Sequence, residues 1–237
     1  PPAPPALTIT PAAGFTATWD GNDGEFYDPD NVPALVPDNV ALASNGGIPF
    51  ASNPSSPHMP PHDVVGLNDG FYGNSHSHIN GGGPNPPFMG IQLPGPTRLS
   101  AIAWGRDNGT PGGPIPPVGP ADCCGGQLRD RSIGIYTLQI TTVDAPDAST
   151  PGQDWTTVAD FNYTGEIGTD EEPGGLFTEW LRHQYQIGTD GGDPVVATGV
   201  RILLSNPDIC IDEIELYGVV APLVGPTLNI SHDAATD

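Results

Sequence analysis

An antiparallel all-β sandwich is the fold class this 237-residue sequence predicts, and three observations carry that expectation. Short apolar runs alternate with the period of two that strands require. No window keeps the helical i, i+3, i+4, i+7 apolar spacing over three turns. Clusters of Gly, Pro, Asp and Asn stand between the runs, where turns belong.

The run Ile133-Gly-Ile-Tyr-Thr-Leu-Gln-Ile-Thr141 sets Tyr136, Leu138 and Ile140 against Ile135, Thr137 and Gln139, which predicts a strand with one buried face. Leu99-Ser-Ala-Ile-Ala-Trp104, Trp155-Thr-Thr-Val-Ala159, Gly199-Val-Arg-Ile-Leu-Leu204 and Ile209-Cys-Ile-Asp-Glu-Ile-Glu-Leu-Tyr217 predict further short strands. Residues 52–61, 80–87 and 107–127 are rich in Pro, Gly and Ser and predict loops. The last is long for a connection in a compact domain, and loops of that length tend to be functional.

The 32 Gly and 30 Pro make up roughly a quarter of the chain, at the margin where disorder competes with folding. Four Trp, seven Phe and six Tyr still supply the apolar surface of a core. The formal net charge is −22, all six basic residues are Arg, and Lys is absent. That balance excludes a nucleic-acid partner, which needs cations against phosphates, and disfavours an anionic membrane surface. It suits an extracellular protein, a saline habitat or loops that collect Ca2+. No apolar run approaches a membrane span, and the longest near the end is interrupted by Pro222, so membrane insertion is not expected. The opening Pro1-Pro2-Ala3-Pro4-Pro5, without an initiator Met, reads as a processed or excerpted chain.

The three Cys lack the Cys-x-x-Cys spacing of a structural zinc site. In an oxidising compartment the expected disulfide joins Cys210 to one of the adjacent pair, Cys124 or Cys123; a vicinal Cys123–Cys124 bond would be strained.

From residue 39 to residue 218 the order of features resembles the discoidin, or coagulation-factor type C, superfamily of galactose-binding-like jelly rolls. The residues carrying the resemblance begin with Asn39-Val-Ala-Leu-Ala-Ser44, Leu67-Asn-Asp-Gly70 and Tyr72-Gly-Asn-Ser-His76. Phe88-Met-Gly-Ile-Gln-Leu93, Leu99-Ser-Ala-Ile-Ala-Trp-Gly-Arg106, Tyr136-Thr-Leu-Gln-Ile140 and Asp154-Trp-Thr-Thr157 follow, and Ile211-Asp-Glu-Ile-Glu-Leu-Tyr-Gly218 closes the series. The pattern is most similar to versions in long exported proteins of Planctomycetes-like bacteria. The resemblance implies an antiparallel jelly-roll β-sandwich of eight strands. It implies a non-catalytic binding module, usually for glycans and sometimes for lipid or protein, exported or held at the cell surface.

The sequence outside it divides into a Pro-rich arm and extra strand segment at residues 1–38 and a linker with a strand-like tail at residues 219–237. Leu7-Thr-Ile-Thr10 in the arm echoes Leu228-Asn-Ile-Ser231 in the tail. The echo reads as the start of a second repeat, or as one terminal strand that merely looks like another.

The resemblance also implies a structural Ca2+ between the Asn-Asp-Gly turn and the last strand. Its ligands would be Asp69, Asn74, Ser77 and Glu213, with main-chain oxygens near Leu67 and Asp212. The plainer alternative is an Asx-turn capped by Asp69, with Glu213 paired to an Arg. For a sugar, the candidates are His76, Arg106 and Arg129, with Tyr72 or Phe71 as a stacking ring. Arg106-Asp107 and Asp130-Arg131 also fit an ion-pair network closing the base of the long loop. His58, His62, His76 and His78 crowd a short span, but without a fixed carboxylate or Cys neighbour they read as ordinary loop histidines. Thr18-Trp-Asp-Gly-Asn-Asp-Gly-Glu25 lacks the spacing of an EF-hand.

Catalytic signatures are absent: there is no Gly-x-Ser-x-Gly elbow, no His-Glu-x-x-His, and no phosphate loop, which needs a Lys. The expectation is therefore a carbohydrate-binding or adhesion module with structural Ca2+ and a glycan or surface polysaccharide as partner. The alternative is a structural subunit of an extracellular filament, sheath or surface layer, joined to other copies of itself through its terminal strands.

Overall fold

The computed structural model describes residues 7–19, 39–54, 62–71, 77–80, 86–105, 134–163, 171–172, 176–177, 183–207 and 209–220. Among these residues, helix is confined to single 3-10 turns and the remaining elements are strands. In chain order they are β1 (Leu7–Pro11), β2 (Phe15–Trp19), β3 (Ile48–Ala51), β4 (His78–Ile79), β5 (Phe88–Gly105), β6 (Gly134–Thr141), β7 (Thr156–Tyr163), β8 (Glu171–Glu172), β9 (Leu176–Phe177), β10 (His183–Thr189), β11 (Val195–Leu204), β12 (Cys210–Ile211) and β13 (Glu213–Val220). Every strand pairing is antiparallel, as the sequence predicts.

Two leaves pack as a jelly-roll sandwich and share one strand. The 18-residue β5 starts in the first leaf, where residues 88–92 lie between β3 and β11. It ends in the second leaf, where residues 101–105 lie against β13 on one side and residues 101–104 against β10 on the other. The change of leaf falls at Pro94-Gly95-Pro96. There the ladder with β11 jumps from Gln92↔Gly199 to Thr97↔Ala197. Two prolines cannot donate to a ladder, so the strand bends where its hydrogen bonds are already lost. The first leaf runs β3-β5-β11-β6-β7-β1 and the second β13-β5-β10-β2.

Alternation fills the space between the leaves. β6 sends Tyr136, Leu138 and Ile140 inward as its sequence predicts, and leaves Ile135 39% exposed. Trp104 and Tyr185 from the second leaf meet Tyr136 and Phe161 from the first. Ring centroids stand 4.9 Å apart for Trp104–Phe161, 4.8 Å for Trp104–Tyr185 and 4.4 Å for Phe161–Tyr185. Offset and edge contacts of this kind add to the burial of the rings themselves.

Three expectations change in detail. The runs at 88–93 and 99–104 form one continuous strand, because a Pro-Gly-Pro bulge bends the chain without ending its pairing. The run at 209–217 is broken at Asp212, whose N–H turns to the Gly105 carbonyl at 3.0 Å, giving β12 to β4 and β13 to β5. Residues 7–19, read as part of an arm ahead of the jelly roll, are strands of the sandwich itself. β1 pairs with β7 of its own chain, and β2 with β10.

Truncating the centre of the aromatic group should be costly. Phe161→Ala, at a residue with no exposed surface, is expected to lower the unfolding free energy by about 3–5 kcal/mol in urea denaturation. Ile135→Ala on the outer face of β6 should change it by less than about 0.5 kcal/mol.

Candidate functional site

The sequence-selected residues fall in segments rooted around one point, the start of β13. Tyr72, Asn74 and His76 belong to a segment that leaves the described structure after Phe71 and re-enters at Ser77. Gly70, just before its start, donates its N–H to Glu213 Oε2 at 3.1 Å; His78, just past its end, pairs with Ile211. Arg106, Cys124 and Arg129 belong to a segment rooted at Gly105, which pairs with Glu213, and at Gly134. Gly134 is packed so closely on Ser205 and Ile209 that an added Cβ would lie 2.7 Å and 2.8 Å from them. The described residues flanking both segments therefore lie beside residues 205–213.

A buried polar knot holds this end together. The Asn39 Oδ1 accepts the N–H groups of Ala41 and Leu216, each at 2.9 Å, and its Nδ2 donates to Glu213 Oε1 at 3.4 Å. Asn68 Nδ2 donates to the carbonyls of Ala41 at 2.8 Å and Gly47 at 3.1 Å, while the Asn68 carbonyl accepts Ala43 N–H at 3.0 Å. The Asn-Asp-Gly turn is thus tied to the Asn39 segment, and both are tied to β13. Gly70 completes the turn at φ +89°, a conformation that side chains resist. The three side chains at the centre, Asn39, Asn68 and Glu213, are each 1% exposed. Buried polar groups persist where they are hydrogen-bonded, and here the amides serve as crosslinks.

The electrostatics of the knot are one-sided. Burial, reinforced by the nearby carboxylates of Glu215, Asp69 and Asp212, pushes the Glu213 carboxyl well above the usual range; the Gly70 N–H opposes this. Among the described residues the hydrogen-bond partners of Glu213 are Asn39 and Gly70, and neither is an Arg. The Asx-turn alternative does hold at Asp69, whose Oδ1 accepts the Phe71 N–H at 2.9 Å. Ser77 is fully buried with its Oγ 2.8 Å from His62 Nδ1. Asn74 lies outside the described residues, as do Tyr72, His76, Arg106 and Arg129, Cys123 and Cys124, and the tail at 228–231. Cys210 is buried on β12 opposite Ile79.

A hard cation fits the chemistry of what is present: an excess of carboxylates around a buried one, in a loop-and-strand setting rich in oxygen. Among the described residues no three His, Cys, Asp or Glu side chains converge on one point, so any shell would need oxygens from the segment carrying Asn74 or from the main chain. Two of the four clustered histidines are buried ones, not the ordinary loop residues expected. His62 and His78 are fully buried, His78 Nδ1 lies 3.2 Å from the His62 carbonyl, and burial lowers the His78 pKa. They brace the root of β4. Sequence reasoning missed Asn39 and Asn68 as the organisers of this end; the signal was an Asn in each of two otherwise apolar stretches.

The fold and the knot define a class: a jelly-roll β-sandwich with a buried polar knot at one end. No protein-family profile matches the chain, and no curated protein sequence matches it. Solved structures with a similar fold include a fucolectin from striped bass (Morone saxatilis) serum, at 13% identity and a TM-score of 0.44, covering 78% of this chain and 48% of that one. Another is chitosan-binding module 2 of a Paenibacillus chitosanase/glucanase in complex with chitotriose, at 18% identity and 0.45, covering 76% and 100%. An allantoicase aligns at 14% identity and 0.47, covering 79% and 44%. Likenesses of this size concern the shape of the chain and decide nothing about its activity.

The raised Glu213 pKa fixes the sign of a pH effect. Its contribution to stability is full below the ordinary value of 4.5 and is lost as pH rises through the folded value. In chelator, Glu213→Gln should therefore gain on the wild type in thermal melts as pH rises from acid to neutral. A difference between variant and wild type that stays constant over this pH range would mean the carboxylate is already compensated.

Proposed function

We propose that this chain is a non-catalytic glycan-binding module of the cell exterior, taking its ligand at the end of the sandwich organised by Glu213. One observation carries the proposal. The two segments bearing Tyr72, His76, Arg106 and Arg129 are both rooted on residues 205–213, which a buried polar knot holds in place. Arg and His supply hydrogen bonds to sugar hydroxyls, and a Tyr ring supplies a face for the apolar side of a pyranose. The likeness of Asn39-Val-Ala-Leu-Ala-Ser44, Asn68-Asp-Gly70 and the closing strand to discoidin-type modules supports the same reading.

Ca2+ belongs to this proposal as the element that would relieve the carboxylate excess. Asp69 and Glu213 would hold it, with Asn74 and Ser77 from the neighbouring segment. Once bound, such an ion supplies positive charge and a fixed coordination geometry. The chain's own part is to place the turn: Gly70 N–H and Asn39 Nδ2 orient the Glu213 carboxyl, and Asn68 fixes the loop above it.

The test is a glycan array followed by calorimetry, with Ca2+ and with chelator. Arg106→Ala, Arg129→Ala and Tyr72→Ala should each weaken the best ligand by about tenfold or more, the worth of one charged hydrogen bond or a stacked ring. Their melting temperatures should stay close to that of the wild type. Chelation should lower melting temperature and affinity together. An array without hits in Ca2+, or binding indifferent to all three substitutions, would overturn the proposal.

A further inference from the structure

The outer face of the first leaf carries a second, separate constellation. Cross-strand pairing sets Phe50, Gly90, Arg201, Gln139 and Thr157 in one row across β3, β5, β11, β6 and β7. The next row along is Phe88, Leu203, Thr137 and Asp160. Arg201 Nε donates to Gln139 Oε1 at 2.8 Å, and Gln139 Nε2 donates to Thr157 Oγ1 at 3.0 Å. The guanidinium carbon lies 4.3 Å from the centroid of Trp155 and 5.0 Å from that of Phe88. Gly90 makes room for the row: an added Cβ would come within 2.6 Å of the Phe50 ring.

Arg201 is only 7% exposed, and among the described residues no carboxylate pairs with it. In a chain with 28 acidic residues and six Arg, a buried cation without an acidic partner is unexpected on chemical grounds. Its pKa is lowered to about 10 by burial alone. Among the described residues, only its Nε has a hydrogen-bond partner. Among the described residues the two terminal nitrogens have none, and they are not among the fully buried polar atoms left without a partner. A guanidinium fixed between two rings, with its Nε engaged and its Nη edge open, is prepared for a planar carboxylate. Half-exposed Gln139, Thr157 and Thr137 beside it offer hydrogen bonds of the kind hydroxyls take.

We propose that this sheet face is a binding site for a sugar carboxylate, a uronic acid residue, with the carboxylate on the Arg201 Nη edge and the hydroxyls over Gln139 and Thr157. The site is distinct from the loop end and does not depend on it: Arg201 and Gln139 sit in mid-strand, among residues of β6 and β11. The net charge of −22 repels polyanions at long range, so the face suits a single uronate unit or a sparsely charged glycan.

The experiment uses the whole chain in NMR titrations, following the Trp155 indole N–H and the Arg201 Nε–H, which report this face alone. Glucuronate and galacturonate are compared with glucose, galactose and acetate. The expected result is that the uronates shift both signals in a saturable manner while neutral hexoses and acetate do not. Gln139→Ala, at a half-exposed position, should weaken the response severalfold. Arg201→Met keeps an apolar stem between the rings and should abolish it while preserving the spectrum of the fold. No response to either uronate overturns the proposal, as does a response to acetate equal to that for glucuronate, or uronate binding that survives Arg201→Met. Glycan binding that is indifferent to Arg106→Ala, Arg129→Ala and Tyr72→Ala, with these shifts intact, would sink the loop-end reading and leave this one standing.

Discussion

The passage of β5 from one leaf to the other is the constraint on which both ends of the molecule depend. A strand shared by two sheets cannot slide in register against one neighbour without breaking its ladder with the rest. β5 has four such neighbours, and the bulges at 93–96 and near Ser100 lock its two halves against β11 and β13 separately. Its last residue, Gly105, then lands opposite Glu213, and its first, Phe88, lands beside Leu203. The loop end and the sheet-face constellation are thus positioned by opposite ends of the same strand. Burial of Trp104 between the leaves anchors the Gly105 end of the strand.

The two ends handle charge in opposite ways. At the loop end a carboxyl is buried among other carboxyls and held by neutral donors, an arrangement that raises its proton affinity and suits a cation. On the sheet face a guanidinium is buried between rings and held by a neutral acceptor, an arrangement that suits an anion. Among the described residues, each lacks the opposite charge that would make it a closed ion pair, in a chain whose composition makes carboxylates plentiful. Closed pairs would add little net stability; open ones leave binding capacity in place.

Strands whose two faces differ strongly were legible in the sequence. β6 announces itself through Tyr136, Leu138 and Ile140, and β13 through Ile214 and Leu216. β3 was not, because Ile48-Pro-Phe-Ala51 is short and contains Pro, which is admissible only at an edge. β10 was hidden by its outward Gln184 and Gln186, although Tyr185 and Ile187 alternate with them. The fold places the carboxylates of Asp69 and Glu213 near each other, and both residues were singled out by resemblance to a known pattern. The amides that hold them were not, since an Asn reads the same in a turn as in a buried crosslink. Arg201 lay within an apolar run and drew no notice, yet a charged residue inside Val-Arg-Ile-Leu-Leu is the kind of local inconsistency that marks a constrained or functional position.

The hydrogen bonds around Gly70 also bear on how the protein ages. An Asp-Gly step is prone to cyclise when the glycine nitrogen attacks the aspartate side-chain carbon, and reopening of the ring inserts an extra methylene into the backbone. That attack needs a free Gly70 nitrogen and a mobile Asp69 side chain. In the folded chain the first is held by Glu213 Oε2 and the second by the Phe71 N–H. The knot that positions the turn therefore shields it from isoaspartate formation. Protein kept partly unfolded would accumulate this lesion at the step joining the loop to the closing strand.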